Sequence, residues 1–142
     1  MQKILIPFDG SAAAKRAVQF VADTFKGQAG VHVYLLNVQE IPAFFDDFGN
    51  AHLMSEMEPQ LIEKGRKVLL EAAEVLQQAG VPHQLDATVG LVAQTIAQQV
   101  EALDCQSVVM GTRGLGAVAG LVFGSTATKI VHMVHVPVTL VK

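Results

Sequence analysis

The apolar positions of this 142-residue chain fall into two alternating kinds of segment. Short aliphatic or β-branched runs bounded by Gly, Pro or Asp are typical of strands, several of them buried on both faces. Five such runs occur, at residues 3–8 (KILIPF), 31–38 (VHVYLLNV), 84–89 (QLDATV), 107–110 (SVVM) and 137–141 (PVTLV). The segments between them carry apolar residues at helical spacing and therefore predict four helices.

Each predicted helix has one apolar face. The four faces consist of Ala14, Ala17, Val18, Val21 and Phe25; Leu61, Val68, Leu69, Ala72 and Leu76; Val92, Ile96, Val100 and Leu103; and Ala127, Ile130, Val131 and Val134. Gly27 and Gly80 stand where the first two helices are expected to end. Strands that alternate with helices predict an α/β fold, namely one doubly wound, Rossmann-like, five-stranded parallel sheet with four helices on its two faces. The length predicts a single domain over residues 1–142.

One segment does not follow this pattern. Residues 39–59 contain two prolines, three phenylalanines and two adjacent aspartates without a clean period. Two interpretations stay open: an irregular entry to the second helix with its phenylalanines packed on the domain, or a mobile flap or partner contact, since long irregular connections are often functional.

Composition and charge remove several classes of function. Although 51% of the residues are hydrophobic, no apolar stretch approaches the ~20 residues of a membrane span, so we expect a soluble protein without a membrane partner. The net charge is −3 and the ten basic residues are scattered, which argues against nucleic acid as a partner. Cys105 is the sole cysteine and the N-terminus lacks signal-peptide features, so we expect a cytoplasmic protein.

Candidate chemistry is concentrated in the glycine-rich stretch at residues 111–131, GTRGLGAVAGLVFGSTATKIV, which follows the fourth strand. In an open α/β sheet, ligands bind at the carboxyl ends of the strands. Gly111 and Gly114 allow positive φ and close backbone approach. Gly124, Ser125 and Thr126 open the fourth helix, whose first N–H groups attract an anion. The alternative is that Ser125 or Thr126 only caps this helix.

Two known phosphate motifs are absent from these letters. Gly124 is followed by Ser125 rather than by Lys, so the GxxxxGK[ST] loop of P-loop NTPases is missing. Gly114, Gly116 and Gly120 miss the last spacing of GxGxxG by one residue, so the dinucleotide fingerprint is missing too.

The pattern that does match is Gly111-x2-Gly114-x9-Gly124-Ser125, combined with PFDGS at residues 7–11, Asn37-Val38 and VPVTLV at residues 136–141. Over its whole length the chain resembles the universal stress protein family, and this glycine spacing is similar to that of its ATP-binding subgroup. The resemblance implies an adenine nucleotide alpha hydrolase-like fold and a small regulatory, stress-response protein. It also implies a homodimer joined through the apolar last strand, residues 137–141, which is predicted to lie at a sheet edge.

Carried over residue by residue, the resemblance implies a nucleotide site. Its phosphate and ribose side would be formed mainly by backbone amides of Gly111, Gly114, Gly124, Ser125 and Thr126. Pro7, Asp9 and Val38 would border the adenine and ribose, Met110 would close one side, and Mg²⁺ would bind through the phosphates of ATP. Many members carry an aliphatic residue where this chain has Thr126.

The residues themselves leave some roles open. Asp9 can accept from ribose hydroxyls or hold metal-bound water, or it can cap the helix that starts near Ser11. Arg113 can reach a phosphate or simply be solvated. Hydrolysis needs a group that orients water and a charge that meets the developing negative charge. Asp9 and Arg113 are the candidates, and neither has a visible helper.

Binding is therefore favoured over turnover. The alternatives are a slow ATPase or phosphotransferase that uses the same pocket, and an interaction module without a ligand. His132 and His135 lie three residues apart near a helix end, where a metal pair or simple helix-terminal histidines are the two interpretations. Cys105 has no neighbouring base in sequence and is interpreted as a small core residue.

Overall fold

The structure is a computed structural model that describes residues 1–41, 51–112 and 123–142. Within these residues it contains five strands, β1 (Gln2–Pro7), β2 (Val31–Gln39), β3 (His83–Val89), β4 (Ser107–Gly111) and β5 (Val138–Val141). The helices are α1 (Ala12–Thr24), α2 (Ala51–Gln78), α3 (Val92–Ala102) and α4 (Ser125–Met133). The predicted α/β fold is confirmed, with strand bounds that differ from the predicted ones by one residue.

The sheet is parallel with the strand order β3-β2-β1-β4-β5. The first strand therefore lies in the middle, and the chain continues to β2 on one side and later to β4 on the other. This reversal of direction beside β1 is the topological switch point, where parallel α/β sheets open a crevice at the carboxyl ends of their strands.

Two hydrophobic cores form on the two faces of the sheet. Residues of α1 and α2 pack with Ile4, Ile6 and Val33 on one face, and residues of α3 and α4 pack with Leu5 and Leu36 on the other. Successive strand residues point to opposite faces, so the central strands are apolar at nearly every position. This is why they appear in the sequence as continuous apolar runs.

The ends of α1 and α2 and the apolar face of α4 can be compared with the predictions. Gly27 and Gly80 adopt φ of +69° and +70°, as expected for glycines that follow helix termini. The buried position predicted for Val131 is wrong, because its side chain is 46% exposed. Val131 lies beside Ile130, which faces the core, and α4 is too short to bury a wide face.

The interpretation of residues 39–59 as irregular is wrong for a large part of the segment. β2 extends to Gln39, and α2 begins at Ala51 and runs through Pro59. Met54, Met57 and Leu61 are half-buried on the face that continues to Leu69, whereas Pro59 is exposed. This apolar period supports the helix across a proline that sequence rules interpret as a break. Residues 42–50, with the three phenylalanines, lie outside the described residues.

No helix within residues 1–41, 51–112 and 123–142 combines the length and the apolar character needed to cross a membrane.

Candidate functional site

A cavity of about 520 Å³ opens at the carboxyl ends of β1, β2 and β4. This volume lies within the range of about 300–1,000 Å³ that is usual for small-molecule sites. Eight of the ten residues predicted for the site line it: Pro7, Asp9, Val38, Met110, Gly111, Gly124, Ser125 and Thr126. The other two, Arg113 and Gly114, lie outside the described residues, so their predicted roles stay predictions.

The first turn of α4 forms one end of the cavity. Its N-cap is Gly124, with φ −68° and ψ 161° and no side-chain capping bond, so the alternative in which Ser125 or Thr126 caps the helix is wrong. The first helical bond runs from the Thr128 N–H to the Gly124 carbonyl (3.1 Å). Among the described residues, the amides of Ser125, Thr126 and Ala127 have no acceptor. This end therefore presents unpaired donors and the positive end of a helix dipole.

Backbone hydrogen bonds hold this helix terminus against the sheet. The Gly124 N–H donates to the Thr112 carbonyl (2.6 Å), and the Thr112 N–H donates to the Val141 carbonyl (3.0 Å). Thr112 and Gly124 thus lie next to each other beside the ends of β4 and β5. Thr112 is buried and lines the cavity, but its place in the site was not predicted.

Glycine is required at position 111 for packing within the protein. Gly111 is not among the residues with positive φ, so its backbone does not use this freedom of glycine. A Cβ built on Gly111 would lie 2.6 Å from the Ala13 carbonyl carbon and 2.8 Å from the Ala14 nitrogen. Close packing of α1 on the end of β4 therefore requires glycine here. The close approach is to the protein's own backbone.

Asp9 is half-buried at the turn between β1 and α1, and its Oδ1 accepts from the Ser11 N–H (2.9 Å). The helix cap is Ser11, whose Oγ accepts from the Ala14 N–H (3.2 Å). The interpretation of Asp9 as the N-cap is therefore wrong, although its carboxylate does stabilise the turn before the helix. Asp9 also lines the cavity. Its Oδ1 therefore stabilises a turn that lies directly beside the site.

The backbone of Val38 faces the other end of the cavity. Odd-numbered residues of β2 bond to β3, as shown by the Val33 N–H on the Pro82 carbonyl and the Gly90 N–H on the Gln39 carbonyl. Even-numbered residues bond toward β1, as shown by the Phe8 N–H on the Leu36 carbonyl (2.8 Å). The β1–β2 pairing ends at Leu36.

Val38 is the next even-numbered residue, and it forms no backbone bond to Phe8 or to any other described residue outside the strand ladders. Its N–H and C=O point beyond the end of β1 toward the cavity that it lines. One residue thus offers a donor and an acceptor side by side.

Sequence reasoning missed further residues of the cavity wall. The side formed by the end of β2 and by α2 is lined by polar residues, namely Asn37, Gln39, Glu40 and Lys64. Lys64 was not predicted because α2 reaches the cavity only by packing on the sheet, and this contact joins segments that are distant in sequence. Gly65, an interior helix glycine next to it, is the signal that would have found this contact, because such a glycine usually has a packing reason.

Cys105 and the pair His132 and His135 were also considered for chemistry. The Cys105 thiol is 4% exposed, and this burial, with a smaller contribution from Asp104 and against the attraction of Lys3, raises its pKa to about 11. The thiol is therefore protonated at neutral pH and is a poor nucleophile. His132 and His135 are both exposed, and no group of three or more potential metal ligands occurs in the described part of the chain.

The model of the universal stress protein family matches residues 1–142. The chain belongs to the universal stress protein family. It is 36% identical over 141 residues to a universal stress protein encoded in the QAH/OAS sulfhydrylase 3′ region of Thermus aquaticus, covering 98% of this chain and 97% of that one.

Solved structures share the fold of this universal stress protein. The structure of the hypothetical protein MJ0577 matches with a TM-score of 0.87 at 23% identity, covering 99% of this chain and 95% of that one. A family protein from Arabidopsis thaliana, solved with AMP bound, matches with a TM-score of 0.69 at 20% identity over 100% of this chain and 92% of that one. The Archaeoglobus fulgidus protein in complex with dAMP matches with a TM-score of 0.67 at 21% identity over 100% and 98%.

Proposed function

We propose that this universal stress protein is a regulatory protein that binds ATP, with Mg²⁺ on the phosphates, in the cavity at the carboxyl ends of β1, β2 and β4. The observation that carries the proposal is the first turn of α4, whose amides have no acceptor among the described residues and whose residues line that cavity. Structural neighbours that hold AMP and dAMP support an adenine nucleotide as the ligand.

The phosphates belong at the α4 end of the cavity. The amides of Ser125, Thr126 and Ala127 are donors without protein acceptors among the described residues, and such donors together with the helix dipole favour an anion. Lys64 adds a positive charge to the cavity wall. Mg²⁺, when bound, would neutralise part of the phosphate charge.

The base belongs at the Val38 end. Adenine presents an acceptor nitrogen next to an amino donor, and the N–H and C=O of Val38 form the complementary pair. Pro7, Val38 and Met110 supply apolar surface around it, as expected for a site that encloses a planar ring with a few polar groups to orient it.

We propose binding rather than turnover. Asp9 was considered for catalysis, and its Oδ1 accepts from the Ser11 N–H, which fixes the carboxylate at the turn before α1. Hydrolysis also needs a charge that meets the developing negative charge, and Arg113, the candidate for that role, lies outside the described residues. ATP would then act as a stabilising cofactor, since a ligand at 100 times its Kd adds about 2.7 kcal/mol to the native state.

The test is isothermal titration of the nucleotide-stripped protein with ATP and Mg²⁺, AMP and inorganic tripolyphosphate. We expect saturable binding of ATP that is tighter than that of either partial ligand. Gly124→Val places a side chain beside the α4 amides at a φ and ψ that any residue adopts, so it should abolish ATP binding while the circular dichroism spectrum is kept. Absence of ATP binding to the parent would leave an interaction module as the better proposal.

We also propose a homodimer joined through β5. The predicted edge position of this strand is confirmed by the strand order. Val138 and Leu140 pack partly on the core of α3 and α4, so Thr139, which is exposed, is the better position for a charge. We expect the parent to sediment as a dimer and Thr139→Lys as a monomer, because edge lysines oppose strand pairing. A monomeric parent would contradict the proposal.

A further inference from the structure

Asn37 is a buried polar residue in the wall of the cavity. Its side chain is 3% exposed, and both ends of its amide are engaged. Nδ2 donates to the Phe8 carbonyl (2.9 Å), and Oδ1 accepts from Nε2 of Gln39 (2.8 Å). Because a carbonyl can only accept, the bond to Phe8 fixes which end of the amide is nitrogen.

The Phe8 carbonyl is the acceptor that would continue the β1–β2 ladder. In a parallel pair the bonds are evenly spaced, so after the Phe8 N–H on the Leu36 carbonyl the next bond would join the Val38 N–H to Phe8. The Asn37 side chain occupies this acceptor instead. The ladder ends one bond early here, and the polar groups of Val38 are directed at the cavity.

Helix α2 is shaped around the same side chain. A Cβ on Gly65 would lie 2.6 Å from Oδ1 of Asn37 and 3.1 Å from Cβ of Ala87. Glycine in a helix interior costs about 1 kcal/mol relative to alanine. Here it lets the helix approach the sheet closely enough to bury the amide.

We propose that Asn37 is a positioning residue that withholds the Phe8 carbonyl from the Val38 N–H, so that the backbone of Val38 stays available to recognise the base of the ligand. Gly65 provides the space that keeps the Asn37 amide in place. The role of Val38 in recognising the base rests on the proposed function. The effect of Asn37 on the hydrogen bonds between β1 and β2 does not depend on it.

The first experiment measures amide hydrogen exchange in the ligand-free protein by NMR. In the parent, Val38 should exchange faster than Leu36, which lies inside the ladder. In Asn37→Ala the Phe8 carbonyl becomes available, and exchange of Val38 relative to Leu36 should slow by about fivefold to tenfold, the effect of one hydrogen bond. Asn37→Leu, which is close in size and has no donor, should give the same result if the alanine variant does not fold.

Val21→Ala is the matched control, because it weakens a buried helix contact outside the cavity. It should leave the ratio of the Val38 and Leu36 exchange rates unchanged. The proposal is overturned if Val38 is already as protected as Leu36 in the parent, or if neither Asn37 variant slows its exchange.

The second experiment compares ligands by titration. Asn37→Ala should weaken ATP binding by about tenfold and leave the affinity for inorganic tripolyphosphate within about twofold of the parent's. Gly65→Ala, which displaces Asn37 without removing it, should show the same selectivity. An equal loss for both ligands would overturn the assignment to the base. A parent that binds no ATP would instead overturn the proposed function, while the exchange result still decides the role of Asn37.

Discussion

Gly111→Ala lowers the free energy of unfolding by about 3 kcal/mol or more, as expected for a substitution that overpacks a buried contact. The added Cβ would lie 2.6 Å from the Ala13 carbonyl carbon and 2.7 Å from its Cβ. Backbone atoms in the first turn of α1 cannot rotate away, so α1 must move off the end of β4. Urea unfolding followed by circular dichroism measures the change.

Gly90→Ala is the matched control. Its added Cβ would approach one side-chain atom at 2.7 Å, the Oγ1 of Thr95, which can rotate to another position. We expect a loss of less than about 1 kcal/mol. Equal losses for the two variants would contradict the packing role of Gly111. The difference matters for function, because loss of nucleotide binding in a Gly111 variant can follow from loss of folding rather than from loss of a contact to the nucleotide.

Ser125→Pro is expected to weaken ATP binding by about 10-fold to 100-fold, the effect of one charge-assisted hydrogen bond, without loss of stability. Ser125 is the first residue of α4, a position that proline favours because its N–H has no helical acceptor. The preceding Gly124 has ψ 161°, which suits a residue before proline. The substitution therefore removes one donor to the ligand and no bond within the helix.

Ser125→Ala keeps this backbone donor and removes the hydroxyl. If the backbone amide is the contact, the alanine variant should bind ATP within about threefold of the parent while the proline variant does not. Titration calorimetry and thermal unfolding of both variants separate the alternatives. Equal weakening in the two would assign the contact to the Ser125 hydroxyl instead.

Much of the fold could be predicted because its signals are local. Apolar runs marked the five strands, and helical periods with Gly27 and Gly80 marked the helices. Local rules also produced the main error, since the lack of a clean period up to Pro59 hid a helix that runs through this proline. Whether a helix runs through a proline depends on what its neighbouring turns pack against, and that is a tertiary property.

The positions of the site residues could be predicted, but the structural role of each residue could not. The glycine pattern and the strand ends placed eight lining residues correctly. The pattern did not show that Gly111 is required by α1, or that Asn37 and Gly65 fit together, because each of these contacts joins segments distant in sequence. A glycine in a motif can serve the ligand or the fold, and the sequence alone does not distinguish them.

The central position of β1 has a consequence for how the chain is made. Of the five strands, β1 is made before the others, and its partner β2, where Gln2 meets Val31, follows soon after it. The other partner of β1 is β4, where Ile4 meets Ser107. Domains generally fold as units, so the apolar edge of β1 that β4 covers stays unpaired until β4 has left the ribosome. During that interval the nascent protein is most open to chaperones and to aggregation.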